Sequence, residues 1–242
     1  MSDRSDKPEA LVLVPGLMSD VSLWQPQIDA LQSHIQVIVM DHGELDSLSA
    51  MATNALQQAP AKFALAGHSM GGRVALEVMQ QARGRVTHLA LIDTACRGIA
   101  SPEALAKERD TRFGFLKIAH EQGLDRMARL WVQTMVHPDR LNDEALINTI
   151  ASMFARQSLA KYQAQINALL NRTDLSAVLK TIVCPTLVLC GRQDASTPVA
   201  VHEAMHTDLS NSRLAIIEHC GHMSALEQPQ AVSLSMQQWL TN

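Results

Sequence analysis

The sequence predicts an α/β protein with a mostly parallel sheet of about six strands, helices on both faces of that sheet, and one inserted block of helices. The first observation is a set of short aliphatic runs without polar alternation, a pattern typical of strands buried on both faces. Six such runs, each bounded by turn residues, recur along the chain: ALVLVPG (10–16), IQVIVMD (35–41), KFALAG (62–67), VTHLALID (86–93), PTLVLCG (185–191) and RLAIIE (213–218).

The second observation is that segments with helical periodicity lie between most of these runs. Because strand and helix alternate, we expect a parallel sheet whose connecting helices cover both faces. The segments are SLWQPQIDALQS (22–33), DSLSAMATNALQQA (46–59), GGRVALEVMQQA (71–82) and PVAVHEAMH (198–206).

The alternation is interrupted once, and this interruption predicts the domain organisation. Residues 97–180 contain no strand-like run, whereas stretches such as ALAKERDTRFGFLKIAHEQ (104–122) have helical periodicity. We therefore predict one α/β core formed by residues 1–96 and 181–242, with residues 97–180 as a helical insertion in the same unit. A chain of 242 residues is long enough to bury a full core as a single domain.

Composition and charge exclude several classes of protein. The chain is 47% hydrophobic and 18% charged, and no apolar run approaches the roughly 20 residues needed to cross a bilayer, so we predict no membrane span. A net charge of -4 with scattered basic residues argues against a nucleic-acid partner. The polar opening MSDRSDKPEA does not resemble a secretory signal, which predicts a cytoplasmic protein. The sequence does not define the oligomeric state.

The cysteines predict free thiols rather than disulfides. No C-x-x-C pair is present, and two of the cysteines lie in apolar, strand-like sequence. Cys220 lies between His219 and His222, yet no further ligand group follows at a spacing typical of zinc sites, so we expect no metal. The four cysteines are Cys96, Cys184, Cys190 and Cys220.

The stretch LAGHSMGGRV (65–74) places Ser69 between a strand candidate and a helix candidate. A Gly-x-Ser-x-Gly pentapeptide in this context predicts a nucleophile on a sharp turn. Gly67 and Gly71 remove side chains that would collide across such a turn, and the Met70 amide at the helix start is free to stabilise an oxyanion. We expect His68 to brace the loop rather than to act in catalysis.

A serine nucleophile needs a base and a group that orients the base. His222 follows the last strand candidate by a few residues, and Asp194 follows the fifth, 28 positions before it. Because the carboxyl ends of parallel strands meet at one edge of a sheet, both side chains are placed to reach Ser69. Asp93, which ends the fourth strand candidate, is the alternative acid; we favour Asp194 and expect Asp93 to accept backbone hydrogen bonds.

Three motifs in this order, GHSMGG, GRQDASTP and GHMSALEQP, resemble those of the alpha/beta-hydrolase family, and most closely its small bacterial esterase-like members with a helical cap. The resemblance implies a Ser69-Asp194-His222 triad, a cap formed by residues 97–180, and a second oxyanion donor at the Leu17 amide. It implies no cofactor. Since only nine residues precede the first strand candidate, the two leading strands of the family's sheet are expected to be absent.

The expected activity is hydrolysis of small to medium carboxylic esters through an acyl-enzyme, with a small-molecule ester as the partner. We expect four apolar side chains to line the substrate site: Trp24, Met127, Trp131 and Met135. Thioester hydrolysis and hydrolysis of a carbon-carbon bond in vinylogous 1,5-diketones are alternatives, because a triad does not select among them. A ligand receptor that keeps the fold without turnover is an alternative from a different class. For an enzyme, activity should fall as His222 is protonated, near a pKa of about 6 to 7 if that pKa is little perturbed.

Overall fold

The computed structural model describes residues 8–241, and its centre is a six-stranded sheet in which all strand pairs are parallel. The strands are β1 (Ala10–Val14), β2 (Gln36–Val39), β3 (Phe63–His68), β4 (Val86–Ile92), β5 (Thr186–Gly191) and β6 (Ser212–Ile217). Their order across the sheet is β2-β1-β3-β4-β5-β6. The prediction of a parallel sheet of about six strands is confirmed.

Burial along the strands follows from their positions in the sheet. Every residue of the inner strands β1, β3 and β5 is buried, whereas the edge strands β2 and β6 are partly exposed. The first strand ends at Val14, two residues before the end of the aliphatic run that predicted it. Pro15 follows, and proline has no N–H to donate to a neighbouring strand. The loop after β1 therefore starts directly at the edge where β3 also ends.

Two groups of helices cover the two faces of the sheet. One group comprises α1 (Gln25–Leu31), α10 (Ser224–Glu227) and α11 (Pro229–Leu240), and the other comprises α2 (Leu48–Gln58), α3 (Met70–Ala82), α8 (Ser176–Leu179) and α9 (Val199–Asp208). The first helical segment begins with a 3-10 turn at Val21–Trp24. The Asp20 side chain caps the N-terminus of this turn, because it accepts a hydrogen bond from the Ser22 amide. The predicted cover of helices on both faces is confirmed.

Between β4 and β5 the chain forms helices α4 (Pro102–Gln122), α5 (Leu124–Val132), α6 (Glu144–Ala155), α7 (Leu159–Leu170) and α8. The first of them is a single helix of 21 residues that starts after Ser101, whose hydroxyl accepts from the Ala104 amide. It ends at Gln122, and the next residue, Gly123, has a φ of 88°, which favours glycine. We call residues 97–180 the helical insertion; its role as a cap remains an expectation.

Within residues 8–241, no helix combines the length and the apolar character that a membrane span requires. The start of the polar opening segment, for which the sequence predicts no secretory signal, lies outside the described residues, up to residue 7. The predicted cytoplasmic location stays a prediction.

Candidate active site

Ser69 lies at the junction between β3 and α3, with a backbone conformation that is rare for a residue with a side chain. Its φ is 54° and its ψ is -117°, and such strain is typical of functional positions. Two close approaches require glycine here: a Cβ on Gly67 would collide with the Gly71 carbonyl, and one on Gly71 would collide with the carbonyl of Val14. The turn is fixed by the Ser69 amide, which donates to the Ile92 carbonyl at 2.9 Å.

A continuous line of hydrogen bonds connects Ser69, His222 and Asp194. The Ser69 hydroxyl donates to His222 Nε2 at 2.9 Å, and His222 Nδ1 donates to Asp194 Oδ2 at 2.8 Å. The imidazole and the carboxylate are both buried. The structure thus brings together the three side chains that the sequence places after β3, β5 and β6. A hydroxyl, an imidazole and a carboxylate in this order can move a proton away from the oxygen of a nucleophile.

The Asp194 carboxylate is held by its own loop. Its Oδ1 accepts from the Ser196 and Thr197 amides at 2.8 and 2.9 Å, and its Oδ2 also accepts from the Thr197 hydroxyl at 2.6 Å. Burial acts to raise the pKa of Asp194, but the charge and hydrogen bond of His222 outweigh it and hold that pKa below the ordinary value. The carboxylate is therefore ionised at neutral pH.

The pKa of His222 moves in the opposite direction. Burial, the largest influence, disfavours the imidazolium, but the charge of Asp194 and its hydrogen bond to Nδ1 favour it more, so the pKa of His222 lies above its ordinary 6.5. An imidazole with this shift is a stronger base than a free histidine. Its Nε2 has the geometry and the basicity to accept the Ser69 proton.

Glu227 fixes the backbone on both sides of His222. The buried carboxylate accepts from the Gly221 and Met223 amides at 3.1 Å and from the His137 amide at 2.7 Å. His137 belongs to the helical insertion, so one side chain connects the insertion to the histidine loop. This residue was not predicted, because an acid in GHMSALEQP has the pattern of an ordinary helix residue.

Asp93, the alternative acid, faces backbone groups. Its carboxylate accepts from the Gly191 amide at 3.1 Å and from the Ser224 amide at 3.2 Å, as the sequence analysis expects. His68 Nε2 lies 3.5 Å from the same carboxylate and donates to the His222 carbonyl at 2.8 Å. His68 and Asp93 thus hold the backbone of the loop that carries His222, and they are not part of the hydrogen-bonded line from Asp194 to Ser69.

The two amides expected to form an oxyanion site border the same cavity as Ser69. Leu17 and Met70 both line it, and neither amide donates to an acceptor within residues 8–241. Gly16 brings the first loop against Ser69, since a Cβ there would lie 3.2 Å from Cβ of Ser69. The Met70 amide also lies at the N-terminus of α3, where the helix dipole favours negative charge. Both amides that the sequence analysis names as oxyanion donors are therefore available to donate to a bound oxyanion.

The cavity above Ser69 has a volume of about 640 Å³ and is bounded by the helical insertion and the loops of the core. Two of the four residues predicted to line it, Trp131 and Met135, do so. The prediction is wrong for Trp24 and Met127, which are fully buried elsewhere. Trp24 packs edge-on against His68 at a ring distance of 6.3 Å, and helical periodicity alone does not distinguish a core contact from a cavity wall.

The cavity also has a charged wall that was not predicted from the sequence. Among its lining residues in the described chain are four basic side chains and a single carboxylate, Glu108. The sequence holds a signal for part of this wall, because Arg73 follows Ser69 by only four residues and lies near the start of the helix candidate after the serine turn. The basic residues are Arg73, Lys107, Arg112 and Arg172.

The four cysteines are free thiols, as predicted. His219 lies near two residues of the helical insertion, His137 and Asp139, with one potential ligand atom from each within 4.8 Å of the others. His137 Nδ1 already accepts from the Asp139 amide at 3.0 Å. The buried thiol of Cys220 is not among these ligand atoms.

A strained serine between a parallel strand and a helix, with a histidine and an acid from later loops of the same sheet, defines a class of α/β hydrolytic enzymes. The model of the alpha/beta hydrolase family matches residues 11–233. The chain belongs to the alpha/beta hydrolase family.

Relatives and solved structures agree with this family. A pimeloyl-[acyl-carrier protein] methyl ester esterase of Nitrosomonas europaea is 26% identical over 240 residues, which cover 91% of each chain. An esterase structure from Thermogutta terrifontis superimposes with a TM-score of 0.83 at 26% identity, covering 97% of this chain and 90% of that one. The enol-lactonase of Burkholderia xenovorans has the same fold, with a TM-score of 0.83, 22% identity and coverage of 99% and 94%. The names of these three proteins describe two esterases and a lactonase.

Proposed function

We propose that this protein is a serine hydrolase that cleaves carboxylic esters through an acyl-enzyme, with Ser69 as nucleophile, His222 as general base and Asp194 as the orienting acid. The observation that carries the proposal is the hydrogen-bonded line from the Ser69 hydroxyl through the imidazole to the Asp194 carboxylate. This line ends at the floor of the cavity, where an ester carbonyl can approach the serine oxygen.

In the first half of the reaction, Ser69 Oγ bonds to the ester carbonyl carbon while His222 Nε2 takes the hydroxyl proton. The carbonyl oxygen becomes an oxyanion, and the amides of Leu17 and Met70 donate to it. One such donor contributes on the order of 3 kcal/mol to transition-state stability. The intermediate then expels the alcohol, which takes its proton from Nε2 and leaves the acyl group on Ser69.

In the second half, water attacks the acyl carbonyl as His222 Nε2 takes its proton. The second tetrahedral intermediate expels the serine oxygen, which recovers the proton from Nε2, and the carboxylic acid is released. Throughout, the negative charge of Asp194 stabilises the imidazolium that forms twice per turnover. The residues of this chain supply every group in these steps, so the proposed mechanism uses no cofactor.

A panel of aryl and alkyl esters of graded acyl length tests the proposal on the wild type and on Ser69→Ala. Ser69→Ala should abolish the burst of aryl alcohol and the labelling by a fluorophosphonate, because the bond-forming oxygen is gone. Ser152→Ala, at an exposed position of α6, is the matched control and should behave like the wild type.

The same panel includes a thioester and a vinylogous 1,5-diketone. If the thioester or the diketone is turned over faster than every ester, hydrolysis of that compound becomes the proposed activity. The assignment of Ser69 as the nucleophile would not change. Absence of both labelling and burst in the wild type would contradict an enzymatic role and place the chain among ligand receptors.

A further inference from the structure

The charges around the cavity are unbalanced. Among residues 8–241, those that line it include the four basic side chains named above and only one acid, Glu108. Ester hydrolysis itself needs no cation, since the amides of a serine hydrolase stabilise the oxyanion. The positive wall therefore requires a separate explanation.

Part of the wall is an internal ion cluster. Glu108 accepts from Arg112 Nε at 2.8 Å and from two nitrogens of Arg172 at 2.7 Å each. Burial disfavours charge on Glu108, but these guanidinium groups hold its pKa below the ordinary value, so it is ionised. One negative charge thus faces two positive charges, and the cluster keeps a net charge of about +1. Moreover, Nε of Arg172 is buried without a hydrogen-bond partner in the described part of the chain.

Arg73 adds a positive charge that forms no direct ion pair with an acid among residues 8–241. Its Nη1 donates to the Arg97 carbonyl at 2.8 Å, and no carboxylate of residues 8–241 lies within 4.0 Å of its guanidinium. Burial, reinforced by the like charge of Arg172, lowers the pKa of Arg73 to about 10, so the side chain is still charged at neutral pH. Keeping a half-buried cation beside another cation costs free energy. An anion in the cavity would recover this cost.

The position of Arg73 relates this charge to the reaction. Arg73 lies in the first turn of α3, where its amide donates to the Ser69 carbonyl at 3.4 Å, and both residues line the cavity. The ion cluster with Glu108 is explained by its role in holding α4 to the segment after α7. Arg73 has no such role, because within residues 8–241 its guanidinium forms a single hydrogen bond, which is to a backbone carbonyl.

We propose that the cavity selects esters that carry a second, anionic group, a carboxylate or a phosphate, which Arg73 binds together with the Arg112 and Arg172 guanidinium groups. Guanidinium groups bind both kinds of anion through paired N–H donors. The inference rests on the proposed ester hydrolysis and adds the substrate class. The aromatic ring of Trp131, which lines the cavity, would contact the chain between the two ends of the substrate.

The test compares p-nitrophenyl hemiesters of dicarboxylic acids, from malonate to pimelate, with p-nitrophenyl esters of neutral acids of equal length. A third arm uses p-nitrophenyl esters of phosphonoalkanoic acids, which separates phosphate-like anions from carboxylates. We expect kcat/KM to be roughly 10- to 100-fold higher for the best anionic ester than for its neutral partner, the range expected for hydrogen bonds to charged groups. The preference should shrink with added salt.

Variants assign the preference to Arg73. Arg73→Met should lower kcat/KM for the anionic ester at least tenfold more than for the neutral ester, and Arg73→Lys should retain part of the preference. Arg126→Gln, an exposed arginine of α5 outside the cavity, is the control and should leave both rates unchanged. The rate of fluorophosphonate labelling checks that each variant is folded, and Arg112→Gln provides a second test if Arg73→Met does not fold.

The outcomes separate this inference from the proposed function. Turnover of both esters with kcat/KM values within threefold would overturn the anion site and leave ester hydrolysis standing. If neither ester is cleaved, calorimetric titration of the wild type with free glutarate and pimelate decides: binding that is lost in Arg73→Met would support the anion site without esterase activity. Absence of such binding would overturn both.

Discussion

Replacing Asp194 by asparagine tests the assignment of the acid, and the structure defines which way the new amide points. Oδ1 accepts from two backbone amides, those of Ser196 and Thr197, whereas Oδ2 accepts from His222 Nδ1. Because the two amides need an acceptor, the asparagine oxygen should take the Oδ1 position and its NH2 group should face Nδ1. The Thr197 hydroxyl can rotate and accept from the same NH2 group.

This orientation places the imidazole in the wrong tautomer. With an NH2 group opposite, Nδ1 must accept, so the ring proton moves to Nε2, which then cannot take the proton of Ser69. The imidazolium of the transition state also loses its carboxylate partner at 2.8 Å. In a serine protease the same change lowers kcat about 10⁴-fold. We expect a loss of about 10³- to 10⁴-fold here, equivalent to about 4 to 5.5 kcal/mol.

The assay is hydrolysis of a p-nitrophenyl ester under saturating and limiting substrate, with Asp93→Asn as the matched control. Asp93→Asn should reduce the free energy of unfolding by about 1 to 3 kcal/mol, because a buried acceptor of two backbone amides is altered, yet keep kcat within about tenfold of the wild type. The opposite result, with Asp93→Asn inactive and Asp194→Asn active, would refute the reasoning and make Asp93 the catalytic acid.

Three other predictions concern the base, its loop and the serine turn. As pH falls, kcat/KM should drop with a midpoint above 6.5, because the raised pKa of His222 means that the base is protonated earlier than a free histidine; a pH profile that is flat from about 5 to 8 would count against this base. Glu227→Gln should lower the free energy of unfolding by about 1 to 3 kcal/mol and slow fluorophosphonate labelling, and unchanged denaturation and labelling curves would contradict its role in the loop. Gly71→Ala should cost about 2 kcal/mol or more in chemical denaturation, because its Cβ meets the Val14 carbonyl. Gly114→Ala in α4, where a Cβ meets nothing within 4 Å, should instead stabilise by about 0.5 to 1 kcal/mol, and equal effects of the two alanines would contradict the packing argument.

Most of the fold could be predicted because its determinants are local. Aliphatic runs and turn residues define the strands, and parallel pairing then places their carboxyl ends at one edge of the sheet. This topology is why Ser69, Asp194 and His222, distant in sequence, could be named together before their distances were known. The strand boundaries differ by one or two residues from those predicted where a particular residue ends the strand, as Pro15 does after β1.

The cavity wall was harder to predict because it depends on how helices pack, which sequence periodicity does not encode. Trp24 and Met127 have the apolar pattern of a lining residue, but they are buried in the core. Helical periodicity predicts which face of a helix is buried, but it does not predict whether that face contacts the core or a cavity. Arg73 and Glu227 were missed for the opposite reason. Polar residues in helices are most often exposed. The short spacing of Arg73 from Ser69 is a sequence signal for its place beside the cavity, but only the tertiary structure brings Glu227 beneath the histidine loop.

The contacts between the helical insertion and the histidine loop restrict how specificity can be re-engineered. The His222 amide donates to the Met135 carbonyl at 2.6 Å, and Glu227 accepts from the His137 amide. Transplanting the whole of residues 97–180 from another hydrolase would therefore replace part of the backbone that supports His222 along with the surface that faces the cavity. A chimaera that exchanges only helices α4, α6 and α7, and keeps residues 135–137, would preserve the imidazole's support while changing what the enzyme admits.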